Sequence, residues 1–228
     1  LASLLHDSLE RMPGLGETDT GRQARRDFVM ALFRCFVWGG MEYAGMYADL
    51  VTRLYRADRG DRGRMLCRSA ILPLAEAMLV RDPIYIASMA CSAEQRRRTR
   101  LQLNVKEARG DHIERRYLTR IDALGFGRHM RADVRTSDWP ARLLAAGRRL
   151  VPKKWRGTAH ERELRDYLCD VVRRATDEVE SDYDRWAEAL MRLHNQAAEN
   201  RLRDMAISEV RMLVEPAMSL VPAPAGSA

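Results

Sequence analysis

WGGMEYAGMYADLVTRL, residues Trp38–Leu54, and LAEAMLVRDPIYIASM, residues Leu74–Met89, decide how this chain is read. In the first, Tyr43, Met46, Tyr47, Leu50, Val51 and Leu54 recur at three- and four-residue steps, the spacing of one helix face. Gly39-Gly40 separates this helix, predicted over Glu42–Arg56, from the one before it. The turn ADRGDRG after it has Gly60 and Gly63 as breakers. The next helix is predicted from about Arg64 to Val80, with Pro73 inside it as a kink. Asp82-Pro83 then restarts a helix, with Asp as N-cap and Pro at the first helical position, and this one continues to about Arg100. Short connections let such helices pack as antiparallel neighbours.

Outward from this centre the pattern stays helical at both ends and changes in the middle. Residues 1–12 suit a short amphipathic helix, followed by a loop at Pro13–Gly16. Thr20 and Gln23 have capping-box spacing ahead of Phe28, Leu32, Cys35 and Phe36. From Leu101 to Asp138 no helical period is sustained. His112–Thr119 and Phe126–Thr136 alternate instead, with Gly125–Gly127 as a turn, which allows a small two-stranded β-ribbon at about 112–136. A helix is predicted from near Ser137 to Leu150. Thr158 and Glu161 then form a second capping box, opening one long helix to about Leu193, and a last helix covers Ala197–Val214. The fold class expected is mainly α, a multi-helix bundle. Residues 1–20 form an N-terminal linker or short helix, 21–215 a single helical domain, and the Pro/Ala/Gly-rich 216–228 a disordered tail.

Composition narrows the function classes. With 46% apolar and 31% charged residues and no long apolar run, the chain reads as globular, without a membrane span and cytoplasmic. LASLLHDSLE lacks the basic-then-apolar order of a secretory signal, and a chain starting at Leu1 reads as part of a longer polypeptide. Cys35, Cys67, Cys91 and Cys169 are far apart, without CxxC spacing, and suit buried reduced thiols. The five histidines form no HxH cluster, and no metal site is expected. Net charge is +7, but of the 39 basic residues only Lys106, Lys153 and Lys154 are lysine, leaving 36 arginines. That bias is the mark of a GC-rich coding sequence. With the charges also spread along the chain, nucleic acid is a weak candidate partner.

The two opening segments resemble the C-terminal helical region of the indolepyruvate:ferredoxin oxidoreductase family, the thiamine-dependent 2-oxoacid oxidoreductases that use arylpyruvates. The likeness continues in order and spacing through Thr119–Trp139 and Glu161–Leu193, and so covers most of residues 25–195. The resemblance implies a parent enzyme that decarboxylates arylpyruvates to the acyl-CoA and reduces ferredoxin. Thiamine diphosphate, magnesium and iron–sulfur clusters would be its cofactors and coenzyme A a substrate. The family's cysteine motifs and its GDG…N thiamine pattern do not occur in these 228 residues, so no catalytic, cofactor or metal residue carries over. What the resemblance implies here is a noncatalytic module for assembly or acceptor docking. Its partners would be the parent's catalytic domains or subunits, and ferredoxin. A stand-alone helical interaction module is the alternative, ahead of a basic nucleic-acid-binding domain.

Several local groupings are candidate contacts. Arg81, Asp82 and Tyr85 sit at a helix restart that could hold an anion, although Asp82 as N-cap would use the same amides. Arg96, Arg97, Arg98 and Arg100 in EQRRRTR form the densest basic run and could meet an acidic partner or a phosphate. A solvated helix end reads the same way. Val151–Arg156 interleaves cations with Trp155. Tyr43, Met46, Tyr47, Met78, Tyr85 and Met89 could line an aromatic pocket, but at helical spacing they are more often core. The carboxylates Asp177/Glu180 and Glu178/Asp182 read as surface ion-pair partners of nearby arginines.

Overall fold

A computed structural model of the chain describes residues 1–80, 87, 91–111, 117–125, 128–136, 142–143, 146 and 158–215, with 117–125 and 128–136 as backbone. The protein is mainly helical. It divides into two compact units, Leu1–Val80 with Ala159–Ala228, and Arg81–Thr158.

The first unit is built from helices α1 (Ala2–Glu10), α2 (Asp19–Gly39), α3 (Met41–Ala57) and α4 (Met65–Met78). Its later helices are α6 (Ala159–Asp177), α7 (Tyr183–Ala198) and α8 (Ile207–Val214). α4 is central and packs against α2, α3, α6 and α7. Its sequence explains why: Leu66, Cys67, Ala70, Ile71, Leu74, Ala75, Ala77 and Met78 are all buried, and only the side carrying Met65, Arg68, Leu72 and Glu76 stays partly exposed. Pro73 lies inside it, as expected. The Phe28 and Tyr47 rings stack at 5.7 Å between centroids, and Trp38 lies 4.5 Å from Tyr43 across the α2–α3 corner. Gly40, at φ 82, makes that corner.

The ends of α4 are finished by other helices. Its N-cap, Arg64, is left-handed and makes no side-chain cap bond. The buried Asp58 carboxylate does this work, accepting the Cys67 N–H (2.9 Å), the Arg59 N–H (2.7 Å) and the Tyr183 hydroxyl of α7 (3.1 Å). Beyond the last turn the Val80 carbonyl accepts the Trp38 Nε1–H at 3.0 Å. The Met78 and Glu76 carbonyls accept from the Tyr43 hydroxyl (2.7 Å) and the Arg203 Nε–H (2.8 Å). These are carbonyls a helix end leaves without partners.

Three expected boundaries move, each for a local reason. Thr18, two residues before Thr20, caps α2 by accepting the Gly21 N–H at 3.0 Å, while Thr20 accepts from Arg68. The expected long helix to Leu193 breaks at 178–182, with Asp182 outside helical geometry. The break sets Tyr183 at the start of α7, where its hydroxyl reaches Asp58. The expected Ala197–Val214 helix is likewise divided. α7 ends at Ala198, Asn200 is left-handed (φ 56), and the Arg201 N–H bonds the Gln196 carbonyl at 2.9 Å, a Schellman closure. A 3₁₀ turn, Leu202–Asp204, then leads to α8.

The second unit contains α5 (Ala93–Gln102) and a 3₁₀ turn, Glu107–Arg109. Its strands β1 (Tyr117–Gly125) and β2 (Arg128–Thr136) are antiparallel, in register from Tyr117↔Thr136 to Gly125↔Arg128. The helix expected to run unbroken to Arg100 is interrupted before α5. Ser92 is extended and accepts the Gln95 N–H at 3.2 Å, so it starts a new helix. The restart at 81–86, the helix over 137–150 and the tail at 216–228 lie outside the described residues or largely so.

Two expected outcomes test this packing. Burial raises the Asp58 carboxyl above its ordinary value, against the Cys67, Tyr183 and Arg59 donors that hold it down. The folded state therefore binds this proton more tightly than the unfolded chain. The resulting stability is complete below the ordinary aspartate value and is lost as pH rises through the folded value. Asp58→Asn should cost about 2 kcal/mol at pH 7, and urea unfolding should show a larger cost near pH 4. Equal costs would contradict the assignment. Gly39→Ala would put a Cβ 2.5 Å from Tyr43 Cβ and Cγ, whereas a Cβ at Gly45, inside α3, meets nothing within 4 Å. Gly39→Ala should thus destabilise by about 1–3 kcal/mol, and Gly45→Ala should stabilise by about 0.5–1 kcal/mol, both read from thermal unfolding.

Candidate interaction surface

α2 carries two apolar stripes. Phe28, Ala31, Leu32, Cys35 and Trp38 face the core and are buried. The opposite side presents Val29, Met30, Phe33 and Val37, which share a face at helical spacing. Met30 is 51% exposed and Phe33 50%, and just past the Gly40 corner Met41 is 47% exposed. An amphipathic helix needs only one apolar face to fold, so the second stripe is surplus to the core.

Arginines border this stripe. Arg22 pairs with Asp19, but among the described residues Arg25, Arg26 and Arg34 have no carboxylate partner. Many arginines elsewhere do: Arg62 with Asp184, Arg174 with Glu215, Arg203 with Glu76, Arg211 with Glu163. A cavity of about 460 Å³ opens on this face, lined by Gly16, Arg22, Arg25, Arg26, Val29 and Met30. The surface therefore combines aromatic and thioether side chains with guanidinium groups, the residue types enriched in protein interfaces. Reading only Phe28, Leu32, Cys35 and Phe36 from the sequence missed it. The signal was available in Val29, Met30, Phe33 and Val37.

The residues singled out from sequence are distributed otherwise. Arg81, Asp82, Tyr85, Met89 and residues 151–157 lie outside the described residues. Arg96, Arg97 and Arg100 come together on α5 and, with Cys91, Ala93 and Leu101, line a cavity of about 480 Å³. Arg98 lies on another side of the helix and does not join them. Arg96 Nε is buried without a hydrogen-bond partner among the described residues. α5 buries no side chain completely, which suits the solvated helix end.

Tyr43, Tyr47 and Met78 are core residues rather than pocket lining, while Met46 is only partly buried. The Tyr47 hydroxyl donates to the Ile71 carbonyl at 3.2 Å, and burial raises both tyrosine hydroxyls above their usual range. The Glu178 carboxylate accepts the Trp186 Nε1–H at 3.2 Å and lies 3.9 Å from Arg174, so it supports packing as well as charge balance. Cys35, Cys67 and Cys169 are buried free thiols and Cys91 is half-buried. Burial pushes Cys35 up to about 12 and Cys169 to about 11, and Cys67 is also raised, which keeps these groups as unreactive thiols.

No helix is long and apolar enough to cross a membrane, among the described residues. Comparisons with protein-family models, curated proteins and solved structures give no match to this chain.

If the outer stripe of α2 is surplus to the fold, its replacement should leave stability nearly intact. Met30→Glu and Phe33→Glu should each change unfolding free energy by no more than about 0.5 kcal/mol. Phe28→Ala, on the buried side, should cost about 3–5 kcal/mol. A large cost at Met30 or Phe33 in chemical denaturation would place them in the core instead.

Proposed function

We propose that this chain is a noncatalytic helical module of an enzyme resembling the indolepyruvate:ferredoxin oxidoreductases, acting in assembly or in docking of the electron acceptor. One observation carries the reading beyond the resemblance: α2 keeps a second apolar stripe with Met30 and Phe33, continued by Met41 at the start of α3, that the chain's own helices leave exposed. A surface of that composition suits burial against another domain or subunit. The arginines beside it favour an acidic counterpart, as ferredoxins and acidic subunit faces are. The antiparallel pair β1–β2 belongs to the same proposal, as part of the module.

The cofactors of the parent enzyme are assigned to its other parts. Among the described residues no three of His, Cys, Asp and Glu gather as ligands, and the cysteines are dispersed over separate helices. By the resemblance alone, no residue here is given to thiamine diphosphate, magnesium or an iron–sulfur cluster, and no step of the decarboxylation is routed through this chain.

Immunodepletion of host lysate with an antibody against this chain tests the reading. Removal of the antigen should remove coenzyme A-dependent reduction of ferredoxin by arylpyruvates to the same extent. Full activity in a lysate freed of the antigen would overturn it and leave the stand-alone interaction module.

A further inference from the structure

Away from the α2 stripe, the described residues hold a second feature: a cavity of about 490 Å³ shared by α2, α4 and α7. Its size is that of an ordinary small-ligand site, in the range of about 300–1,000 Å³. Its walls are apolar over most of their extent, with Met65 and Leu72 from α4 and Met191 from α7.

Two opposite charges, both half-buried, line this cavity with no ion pair between them among the described residues. Asp27 of α2 accepts a hydrogen bond from Gln23 Nε2 at 2.9 Å and makes no ion pair among the described residues. Arg68 of α4 donates from Nη1 to Thr20 at 2.5 Å and has no carboxylate partner there either. Each is held by a neutral neighbour, Asp27 by Gln23 and Arg68 by Thr20. Burial raises the Asp27 carboxyl above its ordinary value, against the Gln23 hydrogen bond and the charge of His194, which also lines the cavity. The Gln23 hydrogen bond and the His194 charge thus offset the burial of the carboxylate only in part.

The complement of this arrangement is a molecule with both charges and an apolar body. A simple carboxylic acid would satisfy Arg68 and meet repulsion from Asp27. A simple amine would satisfy Asp27 and meet repulsion from Arg68. We propose that the cavity is a binding site for a small zwitterion with an apolar side chain, an α-amino acid of leucine, methionine or phenylalanine size. Its carboxylate lies on the Arg68 guanidinium and its ammonium on Asp27, while the side chain rests on Met65, Leu72 and Met191. The site is independent of the oxidoreductase reading, since it uses neither the α2 stripe nor a partner chain.

Calorimetric titration of the full chain with L-leucine, L-methionine and L-phenylalanine tests this. Saturable binding at millimolar affinity or better is expected for at least one of them, about −4 kcal/mol or more favourable. For leucine, the matched probes 4-methylpentanoate and isoamylamine each lack one charge and should bind at least about tenfold more weakly. Asp27→Asn and Arg68→Gln should cause losses of the same order, with far-ultraviolet circular dichroism showing that both variants are folded. Absence of saturable binding up to about 20 mM would overturn the proposal. So would 4-methylpentanoate or isoamylamine binding as tightly as leucine, a result that needs no variant.

Discussion

A central helix with no finished ends is the constraint on which this fold depends. α4 buries 10 of its 14 residues, so it must be largely surrounded, and neither terminus receives a side-chain cap bond from its own N-cap or C-cap residue. The Asp58 carboxylate supplies the acceptor at one end, from the turn that follows α3. Trp38, Tyr43 and Arg203 supply donors at the other. Each is a polar group whose burial would be costly if left unpaired. Apolar packing and polar satisfaction therefore require the same arrangement, and neither is complete without the other.

Secondary features follow from this requirement. The break between α6 and α7 costs several intrahelical hydrogen bonds, yet it sets Tyr183 where its hydroxyl completes the shell of Asp58. Arg64 adopts left-handed backbone at the start of α4, and its guanidinium bonds the Tyr55 carbonyl at 2.8 Å and lies over the Tyr55 ring at 4.7 Å. The strain of one residue is thus offset by contacts that fix the turn ahead of α4. The two-faced α2 contributes its inner stripe to the same core and leaves its outer stripe unused, which is the physical basis for reading the protein as a module.

Much of the helical layout was legible because apolar residues recur at helical spacing between strong breakers. The corner at Gly39-Gly40, the turn around Gly60 and Gly63 and the interior position of Pro73 all follow from local chemistry. The misplaced boundaries share a cause: tertiary partners decide them. The gain from the break near residue 180 lies at Asp58, 125 residues from Tyr183 in sequence. Asp58 itself was read as a turn residue, since a carboxylate in ADRGDRG gives no local sign of burial. The cavity of Asp27, Arg68 and His194 was illegible for the same reason, its members coming from three helices without any motif. The outer stripe of α2 was legible and passed over, because one apolar face already explained the helix.

Native-state hydrogen exchange at the Cys67 amide tests the central claim most directly. An amide in the first turn of a helix ordinarily exchanges through local fraying, far below the free energy of global unfolding. If the Asp58 carboxylate closes α4 from outside, the Cys67 amide should exchange only through global unfolding, as slowly as the mid-helix Ile71 amide. Exchange orders of magnitude faster than Ile71, in a chain whose global stability is intact, would show that α4 is not held at this end and would contradict the account.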